Sequence, residues 1–452
     1  MRLYDLHYHA FDLSHVNLIA FLSRDDLITA KELNDLMKKV SWYYKIVPLG
    51  LAQMHCIEKM IAGKARNFIL EDSGRIRSLL SVLENAIESH FLYIDYFLRT
   101  KNPVIGNPQV PNAEHSFGVE KIILCPLLMD FGYKNLGTQP QFYNIPPSKP
   151  IVNQVVDMIN AIYFYNHFEF LADAANPGKL RTSDIRRNPS PKLFEIYPFL
   201  GINTANYKPE EIERLFEKYF TGFEHDTPEM RRQKLLEKMG TIHIDITEVS
   251  ERKGKRILPE KTDFNYVFAG IKVYPPLGFD PWPDDKEERG KVELLYRKCM
   301  EKKIPVITHC SDGGFLTDPH GRDYSDPGKH WKSVLTNPGF RDLKIDFAHF
   351  GSQTGGSVQW KKSILGYMDS NPNVYTDISC CGMKPGFYES LQTWLTPANT
   401  GRFLFGSDFL INMLWIDSYN EYLDLFLSTK NINTKTKVKL CNENSEKFLF
   451  GN

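Results

Sequence analysis

Two histidines stand two residues apart in the run Leu3-Tyr4-Asp5-Leu6-His7-Tyr8-His9-Ala10-Phe11. The run reads as a short strand, and side chains at i and i+2 of a strand leave on the same side. His7 and His9 could therefore grip one metal ion. Later apolar runs end in residues of the same kind. Thr308-His309-Cys310-Ser311-Asp312-Gly313-Gly314 ends one run, Asp346-Phe347-Ala348-His349-Phe350-Gly351 another, and Leu404-Phe405-Gly406-Ser407-Asp408 a third. Lys272 lies within Ala269-Gly270-Ile271-Lys272-Val273-Tyr274-Pro275. Three imidazoles and a carboxylate suit Zn²⁺, and mixed N/O ligation also admits Mn²⁺, Fe²⁺ or Co²⁺. There is no thiolate cluster, which argues against a structural zinc site. A site left open to water is the catalytic pattern, where a metal lowers the pKa of bound water toward ~7.

Such residues need a frame that brings strand ends together. Beyond the first strand, near-continuous apolar runs at 120–130, 193–201, 267–274, 304–309, 343–349, 374–378 and 402–408 read as strands buried on both faces. Segments with three- and four-residue apolar spacing separate most of them: 151–172, 209 onward, 227–239, 285–303, 328–338, 357–369, 387–395, 416–429 and 434–449. A low-contrast hairpin pattern occupies 240–260. Eight strands with crossover helices predict an α/β fold with a parallel sheet, closed as a (β/α)8 TIM barrel. An open doubly wound sheet is the alternative, but no Gly-rich phosphate fingerprint follows the first strand. Helical spacing over 26–62 and 75–100 predicts a large helical insertion after strand one. Residues 1–19 and 119–452 then form the barrel, and 20–118 a lid over its C-terminal face, where barrel active sites lie.

With 452 residues the chain can bury a large core. Lys+Arg and Asp+Glu balance at 55 each, which gives no electrostatic footprint for nucleic acid or an anionic membrane surface. Seven irregularly spaced cysteines suit a reduced intracellular protein, and neither a secretory pattern nor a ~20-residue apolar span is present, so a cytoplasmic location is expected. The insertion offers a surface on which copies of the chain could form a homo-oligomer.

The ordered set His7-x-His9, Ile271-Lys272-Val273-Tyr274-Pro275, Thr308-His309-Cys310, Ala348-His349-Phe350-Gly351 and Phe405-Gly406-Ser407-Asp408 resembles the amidohydrolase superfamily, most closely its amidohydrolase-2 branch. The C-terminal run Asn442-Glu443-Asn444-Ser445-Glu446-Lys447-Phe448-Leu449-Phe450-Gly451 is similar to that branch's usual ending. The resemblance covers strand one and 120–452, not 20–118. It implies a metal-dependent hydrolase acting on an amide, ester or lactone of a small molecule, with a carboxylate as the expected substrate. His7, His9 and His309 would be ligands, and Asp408 a ligand that also takes a proton from water. His349 would be a ligand or an acid/base group. Lys272 would pair with a substrate carboxylate or, carboxylated, bridge a second metal. Its bland alternative is an ion pair with an acid in the barrel mouth. A metal-dependent non-oxidative decarboxylase needs the same ligands and stands as an alternative. A binding protein with a relic metal site is a third.

Other polar residues have plainer readings. Asp5 shares the face of His7 and could accept from a histidine N–H or cap backbone at the barrel base. Cys310 and the Cys380-Cys381 pair read as packing, and His15 and His90 as surface or lid residues. His330 and Arg322 lie in the loop after His309, within conceivable reach of a substrate. Gly313-Gly314 and Gly355-Gly356 would permit tight turns beside the site. Phe91, Tyr93, Tyr96 and Phe97 read as helix core, or as the wall of an apolar pocket.

Overall fold

The computed structural model describes residues 1–12, 15, 82–83, 85–102, 105, 118–131, 149–176, 178–252, 255–316 and 318–451. The helix expected over 26–62 and most of the expected insertion lie outside these residues. Within them, the 75–100 pattern is a helix from Ile87 to Lys101.

The chain opens with β1 (Arg2–Tyr8), followed by α1 (Ile87–Lys101), β2 (Lys121–Pro126) and α2 (Ile151–His167). An antiparallel hairpin, β3 (Phe168–Ala172) and β4 (Leu180–Asp184), comes next. The expected helix over 151–172 therefore ends five residues early. Asp173 accepts from the Ala175 N–H at 2.9 Å and Gly178 adopts φ +86°, turn chemistry that returns the chain on itself. β5 (Phe194–Ile196) and β6 (Phe199–Gly201) replace the single strand expected over 193–201. Pro198 sits between them. Before it, the Tyr197 N–H donates to Leu124 at 2.8 Å; at it, the Pro198 carbonyl accepts from Ala269 at 2.8 Å. The chain changes partner where a residue has no N–H to give.

Helices α3 (Pro209–Tyr219) and α4 (Pro228–Thr241) follow, both with Pro in the first turn. A short hairpin, β7 (Ser250–Arg252) and β8 (Lys255–Ile257), occupies the low-contrast region. The last part alternates as its sequence predicts: β9 (Gly270–Val273), α5 (Lys286–Glu301), β10 (Val306–Thr308), α6 (Gly321–Ser325), α7 (His330–Leu335), β11 (Ile345–Phe347), α8 (Gln359–Ser370), β12 (Val374–Asp377), α9 (Phe387–Trp394) and β13 (Phe403–Leu404). α10 (Tyr419–Ser428), α11 (Thr434–Val438) and α12 (Asn444–Phe450) close the chain. Capping fixes several starts: Asp285 accepts from the N–H groups of Glu287 and Glu288 at 2.9 Å, and Ser418 from Glu421 at 3.1 Å.

The long strands are all parallel. One sheet runs β1-β2-β5, the other β13-β12-β11-β10-β9-β6. Backbone contacts join the two sheets at both edges. Leu6 N–H donates to Phe405 at 3.1 Å and Tyr8 bridges Phe409; Leu128 N–H donates to Phe199 at 3.1 Å and Leu127 bridges Phe199. Leu3, Ile123, Ile271, Ile307, Phe347 and Leu404 are fully buried, each removal from water favouring the fold by about 1.5–3 kcal/mol. Among the described residues no helix is long and apolar enough to cross a membrane.

Candidate metal centre

His7 and His9 leave β1 toward its C-terminal end, on the same side as expected, with Asp408 beyond the end of β13 facing both. His7 Nε2 lies 3.5 Å and His9 Nε2 3.3 Å from Asp408 Oδ1. Ligand atoms of His7, His9 and Asp408 all lie within 4.8 Å of one another. The other ring nitrogens are committed elsewhere. His7 Nδ1 sits 2.8 Å from Asp377 Oδ2, and His9 Nδ1 3.2 Å from the Leu127 carbonyl. A carbonyl and a carboxylate can only accept, so each Nδ1 carries the proton and each Nε2 presents a lone pair. Burial holds His7 low, to about 3, so the ring is neutral. Two imidazole lone pairs thus converge on a carboxylate oxygen, an arrangement that repels unless a cation lies among them. The donor set fits a divalent ion with N/O preference.

Asp377, at the end of β12, is the residue the sequence reading missed. It is fully buried. Its Oδ1 accepts from the N–H groups of His349 and Ser379, each at 2.9 Å, and from the Ser379 hydroxyl. Its Oδ2 takes the His7 proton. Burial works against the charge, yet the His7 imidazole and these donors hold the carboxyl well below the usual range. The only sequence signal was its place: an acid ending an apolar strand, in Val374-Tyr375-Thr376-Asp377.

His349 forms a second group with His7 and Asp377, again within 4.8 Å. Its Nδ1 lies 3.2 Å from the Ser379 carbonyl, and its Nε2 3.1 Å from His309 Nδ1. The expected ligands are therefore gathered, but unequally. His7, His9 and Asp408 share one focus; His349 adjoins it through His7; His309 reaches His349 and belongs to neither three-residue group. His309 is held from behind by Ser311 Oγ at 3.0 Å and the Gly313 carbonyl at 3.2 Å. Gly314 makes that wrap feasible: φ is +94°, and a Cβ there would stand 2.8 Å from His309 Nε2. His349 (φ 61°) and Asp408 (φ 57°) both sit in the left-handed region, where non-glycine residues rarely go. The backbone is bent to aim both side chains.

Lys272 is also at a strand end, but under the site. It pairs in register with Ile307, which pairs with Asp346. Its Nζ is buried and has no hydrogen-bond partner, and neither Asp346 oxygen has one. The alternative reading of Lys272, an ion pair in the barrel mouth, is therefore not formed among the described residues. Burial pushes Lys272 down to about 8, against the pull of Asp377, Asp408 and Asp346. Burial and the charge of Asp377 push the Asp346 carboxyl up.

Above the imidazoles opens a cavity of about 400 Å³. His7, His9, His309, His349 and Asp408 form its floor; Lys272 does not line it. Cys380 does, and it also contacts Asp408, so it is more than packing. Cys310 is fully buried, as expected of packing. Asp5 accepts the backbone N–H of His7 (3.3 Å), that of Ser407 (2.8 Å) and the Tyr419 hydroxyl (2.9 Å), not a ring N–H. His15 and His90 are buried rather than on the surface; His90 Nε2 lies 2.7 Å from the Tyr8 hydroxyl. His330 turns to Asp280 at 2.6 Å, and neither it nor Arg322 lines the cavity. Phe91 is core, whereas Tyr93 and Phe97 line a separate, mostly apolar cavity.

The protein-family model described as "Amidohydrolase" matches residues 264–451, somewhat under half of the chain. Over that region the chain is similar to the amidohydrolase family. The region contains Lys272, His309, His349, Asp377 and Asp408; His7 and His9 lie outside the match. Amidohydrolases of this family are generally metal-dependent, in keeping with the donor groups above. No curated protein matches the chain. Among solved structures it is similar to an uncharacterized TIM-barrel protein from Bordetella bronchiseptica, at 17% identity and TM-score 0.33, over 57% of this chain and 78% of that one. It is also similar to 4-oxalomesaconate hydratase from Rhodopseudomonas palustris, at 14% identity and TM-score 0.31, over 57% and 76%. A uronate isomerase from Bacillus halodurans aligns over 100% of this chain and 93% of its own, at 11% identity and TM-score 0.37.

Proposed function

We propose that the nine parallel strand segments, with β5 and β6 as one strand interrupted at Pro198, close into a (β/α)8 barrel whose C-terminal face carries a metal-dependent hydrolase site of the amidohydrolase type. The hydrogen bonds that join both sheet edges support the closure. The observation that carries the site is the convergence on Asp408 of the Nε2 atoms of His7 and His9, whose Nδ1 atoms are engaged by Asp377 and the Leu127 carbonyl. His7, His9 and Asp408 would hold one divalent ion, Zn²⁺ by the donor types, with His349 and His309 next to it. Such an ion supplies Lewis acidity and a nucleophile from water at neutral pH.

The chain's own groups do the rest. Asp377 and the Leu127 carbonyl fix the His7 and His9 tautomers. Asp408, on the cavity floor beside His7 and His9, accepts a proton from water. His349, held through Nδ1 by Ser379, presents Nε2 toward His309, where a proton could pass to a leaving group or a hydrogen bond reach a developing oxyanion. The substrate would be a small carboxylate with an amide, ester or lactone bond.

The test combines metal analysis with turnover. Wild-type protein should bind close to one equivalent of Zn²⁺ and hydrolyse members of an ester, lactone and amide panel, and His7→Ala and Asp408→Ala should lose both properties. Wild-type metal content in both variants would sink the site. Carbon dioxide release from a carboxylic acid without water uptake would replace hydrolysis with decarboxylation.

A further inference from the structure

A cation meant to meet a substrate carboxylate must reach the cavity, and Lys272 does not. Its ammonium is buried, and the small space beside it, under Met129 and Tyr274, has no room for water. Among the described residues lining the site cavity, one cation remains, Lys384. It sits in the turn after β12, fixed by its own N–H to the Cys381 carbonyl at 3.0 Å and by the Phe387 N–H to its carbonyl at 3.1 Å. Its side chain is exposed and donates to the Ser352 hydroxyl at 2.7 Å, a neutral partner, and among the described residues it forms no ion pair. The other charged group at this height, Asp312, is already engaged by the N–H (2.8 Å) and hydroxyl (2.5 Å) of Thr354. Apolar surface fills the wall between floor and rim, from Met383, Ile411, Leu414 and a half-exposed Trp415.

We propose that Lys384 is the anion anchor of this site, and that the cavity takes a small anionic molecule with a flat, apolar body. The carboxylate would pair with Lys384 at the rim, the body would lie along Trp415 and Leu414, and the opposite end would reach the imidazole floor. This deepens the functional reading above and rests on it only for what happens at that far end. Lys384 is thus a specificity residue. The pair it forms is exposed to solvent, so its share of affinity is modest, at most about fivefold.

The probes are 2-naphthoate and its neutral isostere 2-naphthamide. Binding is followed by the emission of Trp415, isolated by subtracting the response of Trp415→Phe. It is measured on the full chain, both Zn²⁺-loaded and chelator-stripped. Wild type should favour naphthoate over naphthamide, and the preference should shrink at high salt. Lys384→Met should weaken naphthoate about fivefold and leave naphthamide unchanged, while Lys384→Arg should restore the preference. Equal affinity of naphthoate for wild type and Lys384→Met overturns the proposal. So does an equal loss for both probes, which would make Lys384 a packing residue. The stripped protein keeps the two readings apart: the Lys384-dependent preference should survive there even if the metal assignment fails.

Discussion

Replacing Asp377 by asparagine exchanges one oxygen for an NH₂ group and changes almost no volume, yet it should undo the site. Asp377 accepts on both oxygens: His7 Nδ1–H on one, and two backbone N–H groups with the Ser379 hydroxyl on the other. An amide has one accepting and one donating end. If the oxygen keeps the two backbone donors, the NH₂ faces His7 Nδ1 and forces the ring proton onto Nε2. A proton then points at Asp408 where a lone pair stood. If the oxygen keeps His7, the NH₂ faces two N–H groups that cannot accept. Supporting residues of this kind set metal affinity by about 10–100-fold, or about 1.4–2.8 kcal/mol at 1.4 kcal/mol per decade. Removing a buried charge also relieves its desolvation, so folding should suffer less than binding. The assay is Zn²⁺ competition against a chromophoric chelator, run beside thermal unfolding of the metal-free protein. Expected is a Zn²⁺ affinity at least tenfold weaker, with a smaller change in apo stability. Unchanged affinity in a folded Asp377→Asn protein would refute the tautomer argument.

Other outcomes follow from the same contacts. Gly314→Ala should lower metal affinity and stability together, since its φ is +94° and the new Cβ would meet the Tyr274 hydroxyl at 2.5 Å; Tm and chelator competition check this. Cys310→Ala should leave turnover within about twofold and cost about 1 kcal/mol of stability, because the thiol is buried packing outside the cavity. Burial lowers His90 to about 3 from an ordinary value of 6.5. The unfolded chain then binds one more proton between those values, so stability present above pH 6.5 is lost as pH falls, by about 1.4 kcal/mol per pH unit. His90→Gln should flatten the acid limb of a urea-stability-versus-pH curve by that slope; an unchanged limb would contradict a neutral buried His90.

Much of the site could be read from spacing. The i, i+2 rule put His7 and His9 on one side of a strand whatever the remainder of the chain did. Runs buried on both faces marked where β9 to β13 would lie, and the polar residue ending each run marked the end that carries chemistry. The order of those endings also carried the family resemblance. Spacing could not say which strand end touches which. Asp377 became the partner of His7 through contacts between residues 370 positions apart. The 168–184 hairpin was lost for a related reason: helical spacing in 151–172 outweighed turn residues that matter only once β4 comes back to pair.

Tertiary structure alone decided the protonation pattern and the reach of each charge. A ring's tautomer is set by what its second nitrogen meets, and the Leu127 carbonyl and Asp377 come from other strands. Lys272 and Lys384 are both lysines near strand ends in sequence. Packing closed one beneath Met129 and Tyr274 and left the other at the cavity rim. The sequence by itself determined which residue types gather and on which face of each strand, because that follows from local geometry. Distances across strands determined which of them face one another, because register and closure are properties of the whole fold.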